Sequence, residues 1–356
     1  MCSCRPASRV AVGHVVLPVC LFLAAVLEPA VAQDSQDPLP SLDLLIERIE
    51  QVEESLRNLK IESTLVSEEY DEALDAWVAT PRTVSATTWL EAVPQDRMRM
   101  DIHEETLRWR NGAADYGSDS FSLSYDGRKG KIAHHLTGPM GEQFQVRRGE
   151  VTNARPPMLD SPRYQGVSGA GFSLLFFSHP TYQQKRFSDY LRYLREHERL
   201  KLEMDTFRGV PCIRVLHGEL DGWHEVYYLD PARGHAMLGR RFVNQRPDGS
   251  LICLHLQIIT ELKQVAPGIW YPLEAHGGRI DDWPDGQLTR RAHYLAQDVV
   301  ANDPDFDEDV YNLTFPAKYY VTDKRSGATY LTTGDPDDWS AQLDQMVDFI
   351  RQPAPQ

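Results

Sequence analysis

The side chains best suited to chemistry fall into three groups. Asp303, Asp305, Asp307 and Asp309 recur at every second position of "NDPDFDEDV", the spacing that opens a calcium-binding loop. Such a loop needs a glycine at its sixth position and an acid at its twelfth. This chain has Glu308 and Thr314 there, so a solvated acidic loop is expected and no bound ion. His134, His135, His255 and His276 are the second group, the raw material of a metal site. Adjacent strand residues point to opposite faces, so His134 and His135 are poorly placed to share one ion. Exposed or hydrogen-bonded histidines, and no metal, are the expectation. Cys212 and Cys253 are the third group. If they lie on the first and fourth strands of one meander, about 14 Å separates them, twice the reach of a disulfide. Two free, buried thiols are expected.

No motif supplies a reaction. G-x-S-x-G, a phosphate loop, H-E-x-x-H and C-x-x-C are all absent from the sequence. The glycine run Gly166–Gly171 lacks the spacing of a phosphate-binding loop and reads as a turn or hinge. No catalytic residue and no cofactor is expected.

The chain of 356 residues carries a formal net charge of −15, which argues against nucleic acid and against anionic membrane surfaces as partners. Its first 32 residues have a basic start (Arg5, Arg9), an apolar run from Val10 to Leu27, and the small-x-small site Ala30-Val31-Ala32 before Gln33. That is the layout of a cleaved secretory signal peptide, and it places the protein in the periplasm or outside the cell. No later segment is long and apolar enough to span a bilayer. Cleavage leaves two of the five cysteines, Cys212 and Cys253, so disulfides do not build this fold.

The elements that would position these groups follow from periodicity. Residues 33–40 form a short polar linker. Leu45, Ile49, Val52, Leu56 and Leu59 then recur at steps of four and three, one face of a helix that Ser41 or Asp43 can cap. In "DRMRMDIH", Met98, Met100 and Ile102 alternate with Arg97, Arg99 and Asp101, a strand with one apolar face. "SFSLSYDGRKGKIAHH" reads as a hairpin turning at Asp126-Gly127. Residues 160–205 form a central insertion: an apolar stretch with Phe176 and Phe177, then a helical stretch over 181–203 with Phe187, Tyr190, Leu191 and Leu194 on one side. From Val210 the chain reads as a meander. One corner is Asp230-Pro231 to Gly234, where proline ends a strand and glycine allows the reversal. Leu254, Leu256 and Ile258 line one apolar face of a later strand, opposite Cys253, His255 and Gln257. A final strand pair, "KYYVTDKRSGATYLTT", precedes a helix over 335–351. About twelve strands in close succession make an α+β domain over 41–334, with a large, curled antiparallel sheet.

Three stretches, "YYLDPARGHAMLGRRF", "GSLICLHLQIITELKQVAPGIWYPLEAHG" and "FPAKYYVTDKRSGATYL", resemble the periplasmic lipoprotein-carrier superfamily of LolA, LolB and RseB. The resemblance spans roughly residues 41–332 and rests on short motifs, none catalytic. It implies a half-open β-barrel whose apolar concave face is covered by helices, and whose cavity in the carriers holds acyl chains. It also suggests a bacterial host, in which the Asn312-Leu313-Thr314 sequon carries no glycan. The resemblance carries no ligand residue over; in a curled sheet the apolar strand faces of Met98, Met100, Ile102 and of Leu254, Leu256, Ile258 should converge on one concavity, so these are the candidate ligand-binding residues, with Phe176 and Phe177 as its cover or as ordinary core. The leading expectation is an exported, non-enzymatic protein that binds a lipid or the acyl chain of an acylated protein. A regulatory protein-interaction module and a hydrolase with an unrecognised site are the alternatives.

Overall fold

The computed structural model describes residues 39–71, 76–91, 97–110, 113–137, 145–156, 186–197, 200–218, 222–246, 248–283 and 286–332, with Leu159 and Ser173 as single positions. The expected signal segment, nearly all of the linker, Phe176 and Phe177, and the expected helix at 335–351 lie outside the described residues.

Helix α1 (Leu42–Ser55) starts where Ser41 Oγ accepts the Leu44 N–H at 3.2 Å, so Ser41 is the cap. Leu45, Ile46 and Ile49 are buried along one face. The chain then enters the strands β1 (Asn58–Asp71), β2 (Ala76–Glu91), β3 (Arg97–Arg110), β4 (Ala113–Tyr125), β5 (Gly130–Thr137) and β6 (Gln145–Thr152). The expected alternation holds on β3, where Met98, Met100 and Ile102 are buried at 4%, 0% and 3% exposure. The β4–β5 turn is held by Asp126 Oδ1, which accepts from the Arg128 and Lys129 N–H groups.

Helix α2 (Phe187–Glu196) buries Phe187, Tyr190, Leu191 and Leu194, as their spacing predicts. It does not continue to 203. Leu200–Phe207 is strand β7, which pairs with β8 (Val210–Gly218) across the Arg208-Gly209 turn, both residues having positive φ. The central segment therefore contributes an edge of the main sheet. Phe207 pairs with Val210, Met204 with Ile213 and Leu202 with Val215, so β-branched and aromatic partners across the turn override the helical pattern.

The meander continues as β9 (Trp223–Asp230), β10 (Ala236–Gln245), β11 (Leu251–Ala266), β12 (Ile269–Trp283) and β13 (Leu288–Ala301), and ends in β14 (Tyr320–Asp323) and β15 (Ala328–Leu331). At the β9–β10 corner Asp230 caps a 3₁₀ turn over Pro231–Arg233, and Gly234 takes φ +60°. A Cβ on Gly234 would stand 2.5 Å from the Gly268 carbonyl oxygen, so this corner also abuts the β11–β12 corner.

All fifteen strands form one sheet, in the order β15-β14-β6-β5-β4-β3-β2-β1-β13-β12-β11-β10-β9-β8-β7. Two meanders thus meet at the β1–β13 ladder, from Leu59 opposite Ala301 to Glu69 opposite Arg290. The outermost strands, β15 and β7, do not pair with each other, so the sheet is not closed. Two features depart from the sequence reading. Among the described residues there are fifteen strands where about twelve were expected, and the sheet is mixed because β14 runs parallel to β6. Helix cover is modest, with α1 and α2 the only α-helices among the described residues.

Candidate functional site

One face of the sheet holds the main apolar cluster. It draws Leu59 and Ile61 from β1, Met100 from β3, Leu123 from β4, Val215 from β8, Tyr227 from β9, Ala275 from β12 and Tyr294 from β13. Both helices add their buried faces to the same cluster. Burial of a side chain the size of Met100 stabilises by about 2 kcal/mol, so this face is a large share of the stability.

The two helices are tied to each other by charge. Glu53 on α1 is buried, and its carboxylate accepts the Phe187 and Ser188 N–H groups at 2.8 and 3.2 Å as well as the Ser188 hydroxyl. It does the work of an N-terminal cap for α2, whose own Arg186 makes no side-chain cap. Burial raises the Glu53 pKa, and the hydrogen bonds from Ser188 and Phe187 oppose that rise. Arg192 pairs with Glu50 and Arg195 with Asp43, again between the helices. Beneath α2 lies a polar layer. Tyr190 Oη meets His217 Nδ1 at 2.9 Å and donates to Glu225 Oε2 at 3.2 Å, while Arg240 Nε donates to Glu225 Oε1 at 2.7 Å.

A recess opens between α1 and the two strand corners. Its lining includes Ile49, Val52, Met237, Leu262, Trp270 and Pro272, with Glu53, Arg233 and His235 as its titratable groups, and the cavity volume inside it is about 30 Å³, room for about one water. The Arg233 guanidinium lies over the Trp270 ring, 5.5 Å from its centre. His235 has φ +61° and is buried, and burial, aided by the charge of Arg48, pushes its imidazole down to about 4. It is neutral at pH 7, and its Nε2 has no hydrogen-bond partner among the described residues. A mostly apolar lining with a few convergent polar groups has the character of a small-molecule site, and an occupant of ordinary size requires the recess to widen.

The candidate ligand residues are not brought together as expected. Met98, Met100 and Ile102 belong to the main cluster. Leu254, Leu256 and Ile258 are half-buried and point to the other face of the sheet. The register decides this. Ile259 pairs with the core residue Ala275, and the unbroken ladder back to Cys253–Asp281 puts Cys253, His255 and Gln257 on the core side. The apolar side of β11 is therefore the outer one, where Leu254 lies opposite Val243 and Ile280. Its polar side faces inward, next to Arg240 and to Phe242, whose ring meets His255 at 6.0 Å.

The other chemistry-bearing groups are likewise dispersed. His134 stacks on Phe121 at 4.2 Å on the core side, whereas His276 is exposed on the outer face, so His134, His135, His255 and His276 do not assemble. In the acidic loop, Asp303 and Asp307 accept the N–H groups of Asp305 and Asp309 and act as local turn caps. Cys212 and Cys253 are buried free thiols on opposite faces, and burial pushes Cys212 up to about 12. The sequence reading missed the recess and the Glu53 cap. Glu53 carried a signal, since it stands on the apolar side of α1 between Ile49 and Leu56, where a carboxylate needs a partner.

No protein-family model and no curated protein matches the sequence. Solved structures do. A domain described as a putative outer membrane lipoprotein-sorting protein from Vibrio parahaemolyticus is 11% identical, covering 76% of this chain and 98% of its own, at a TM-score of 0.36. A LolA superfamily protein from Nitrosomonas europaea is 7% identical over 76% of this chain and 97% of its own, at 0.35. LprF from Mycobacterium bovis is 10% identical over 78% and 98%, at 0.25.

Proposed function

We propose that the protein is an exported, non-catalytic binder of an apolar chain, a lipid or the acyl group of a lipoprotein, held in a half-open barrel under α1 and α2. The recess carries this reading. It lies beside α1 at the β9–β10 and β11–β12 corners, with Arg233 and His235 among its polar lining groups. An acyl chain would enter beside Ile49, Val52 and Trp270 with its polar end near Arg233 and His235. Met98, Met100 and Ile102 belong to the main cluster on the same face, and an acyl chain would reach them only if the helix pair shifts. Each methylene taken from water contributes about 0.8 kcal/mol, so micromolar affinity corresponds to roughly ten buried methylenes before ordering costs.

One observation favours a second reading, a protein-interaction module. The main cluster is filled by side chains, with Met100 and Leu123 fully buried. A fluorescent fatty-acid probe separates the two. Saturable one-to-one binding, weakened at least tenfold in Val52→Asp and Trp270→Ala, is expected. No saturable binding to the native chain would remove the lipid reading and leave the interaction module.

A further inference from the structure

The outer face of the sheet carries a group of metal-ligating side chains with no part in the recess. Strands β12 and β13 pair so that His276 lies directly opposite His293, and Glu274 stands two residues from His276 on the same strand and the same face. A cross-strand pair and an i, i+2 neighbour are the closest trio that one sheet face can offer. The side chains use this closeness. The two imidazoles lie parallel within 5°, their centres 4.7 Å apart. Both turn Nε2 to the same carboxylate oxygen, Glu274 Oε1, at 2.9 Å from His293 and 3.5 Å from His276. One ligand atom from each of the three residues lies within 4.8 Å of the others.

We propose that Glu274, His276 and His293 form a binding site for a divalent transition-metal ion of the zinc class. Two imidazoles and one carboxylate are a ligand set that such ions take. A tetrahedral ion with bonds of about 2.0–2.1 Å holds its ligand atoms about 3.3 Å apart. The trio therefore needs to close by little more than an ångström, which side-chain rotation on a rigid ladder supplies. A simple ion pair explains the arrangement less well. One carboxylate balances one imidazolium, yet both rings stack on each other and turn Nε2 to it, and an ion satisfies all three groups at once. The surroundings are compatible with a cation. Arg291, two residues along the same face, is paired with Glu68. The side chains of His276 and His293 are 49% and 44% exposed, so the fourth position opens to solvent or to a ligand group from outside.

The experiment is titration of Zn²⁺ into tag-free, chelator-treated mature protein, followed by calorimetry and by the visible absorption of a Co²⁺-substituted sample. One ion per chain with micromolar or tighter affinity is expected. His276→Ala, His293→Ala and Glu274→Gln should each weaken it at least about tenfold. His255→Ala, on the core side, should leave it unchanged. Both histidines are well exposed, so the variants should keep the native thermal transition. His276→Gln serves in place of His276→Ala if that variant does not fold. Absence of saturable binding, or binding that persists unchanged in the His276 and His293 variants, would overturn the site.

Discussion

Replacing Glu53 with alanine tests whether the two helices are one mechanical unit. The carboxylate takes three hydrogen bonds from the first turn of α2, two of them from backbone N–H groups. Phe187 and Ser188 are both 0% exposed, so water cannot replace the lost acceptor. Loss of a helix cap costs about 0.5–2 kcal/mol, and a buried donor left unpaired costs about 1–3 kcal/mol. Part of this is offset, because the buried carboxylate is itself held at a desolvation cost, visible as its raised pKa. The balance is a loss of about 2 kcal/mol for Glu53→Ala at pH 7. Glu53→Gln keeps an acceptor for the N–H groups and removes the charge, so it should stay within about 1 kcal/mol of the native chain. The pH dependence distinguishes the two effects. With the folded-state pKa above the unfolded one, the penalty is fully present above the folded pKa and fades as pH falls towards 4.5. The native chain should therefore gain on Glu53→Gln as the pH is lowered from neutrality. Urea unfolding followed by circular dichroism, at two pH values, reads all three quantities. Equal midpoints for the native chain and Glu53→Ala would refute the capping role. A Gln variant as damaged as the Ala variant would show that charge, and not the acceptor, holds α2.

Further expectations follow from the register and the corners. Met100→Asp should cost more than about 4 kcal/mol and Leu256→Asp only about 1–2 kcal/mol, because one faces the core and the other the half-buried outer side; the reverse order in chemical denaturation would refute the assigned register of β11. Gly234→Ala combines a positive φ with a close carbonyl and should lose about 2–4 kcal/mol, measured as a lowered thermal midpoint; an unchanged midpoint would show that the corner relaxes freely. Thiol counting should find none reactive in the folded protein at neutral pH and two after denaturation without reductant, since Cys212 and Cys253 are buried and face apart; none after denaturation would mean a disulfide.

Much of this was legible in the sequence wherever the signal is local. The spacing of Leu45 and Ile49, the alternation of Met98, Met100 and Ile102, and the Pro231 to Gly234 corner each specify one element from within a few residues. The illegible parts depend on distant partners. The parallel β14–β6 pair joins short strands far apart in the chain, and no local pattern encodes it. β11 misled because its apolar alternation covers Leu254 to Ile258, whereas bulges near Thr260 and Glu261 sit close to the residues that meet the core. Periodicity shows that a strand has two unlike faces but not which of them lies inside. The Glu274, His276 and His293 trio lay in between. His276 and His293 are equidistant in sequence from Pro284-Asp285, residue types that favour turns, so a hairpin centred on that dipeptide would set them opposite each other.

The seam between the two meanders has a consequence for how the protein is made. β1 needs β13, and Arg57 and Asn302, which meet where that ladder begins, stand 245 positions apart in the chain. During synthesis, β1 through β6 emerge with the inner edge of β1 still unsatisfied, and nothing local can complete it. Loop closure over such a distance is slow, so folding should be limited by the docking of β13. Until then a long strand edge offers its amides and carbonyls to any neighbouring chain. Aggregation during refolding should accordingly rise with protein concentration, and a synthetic β13 peptide supplied in trans should suppress it.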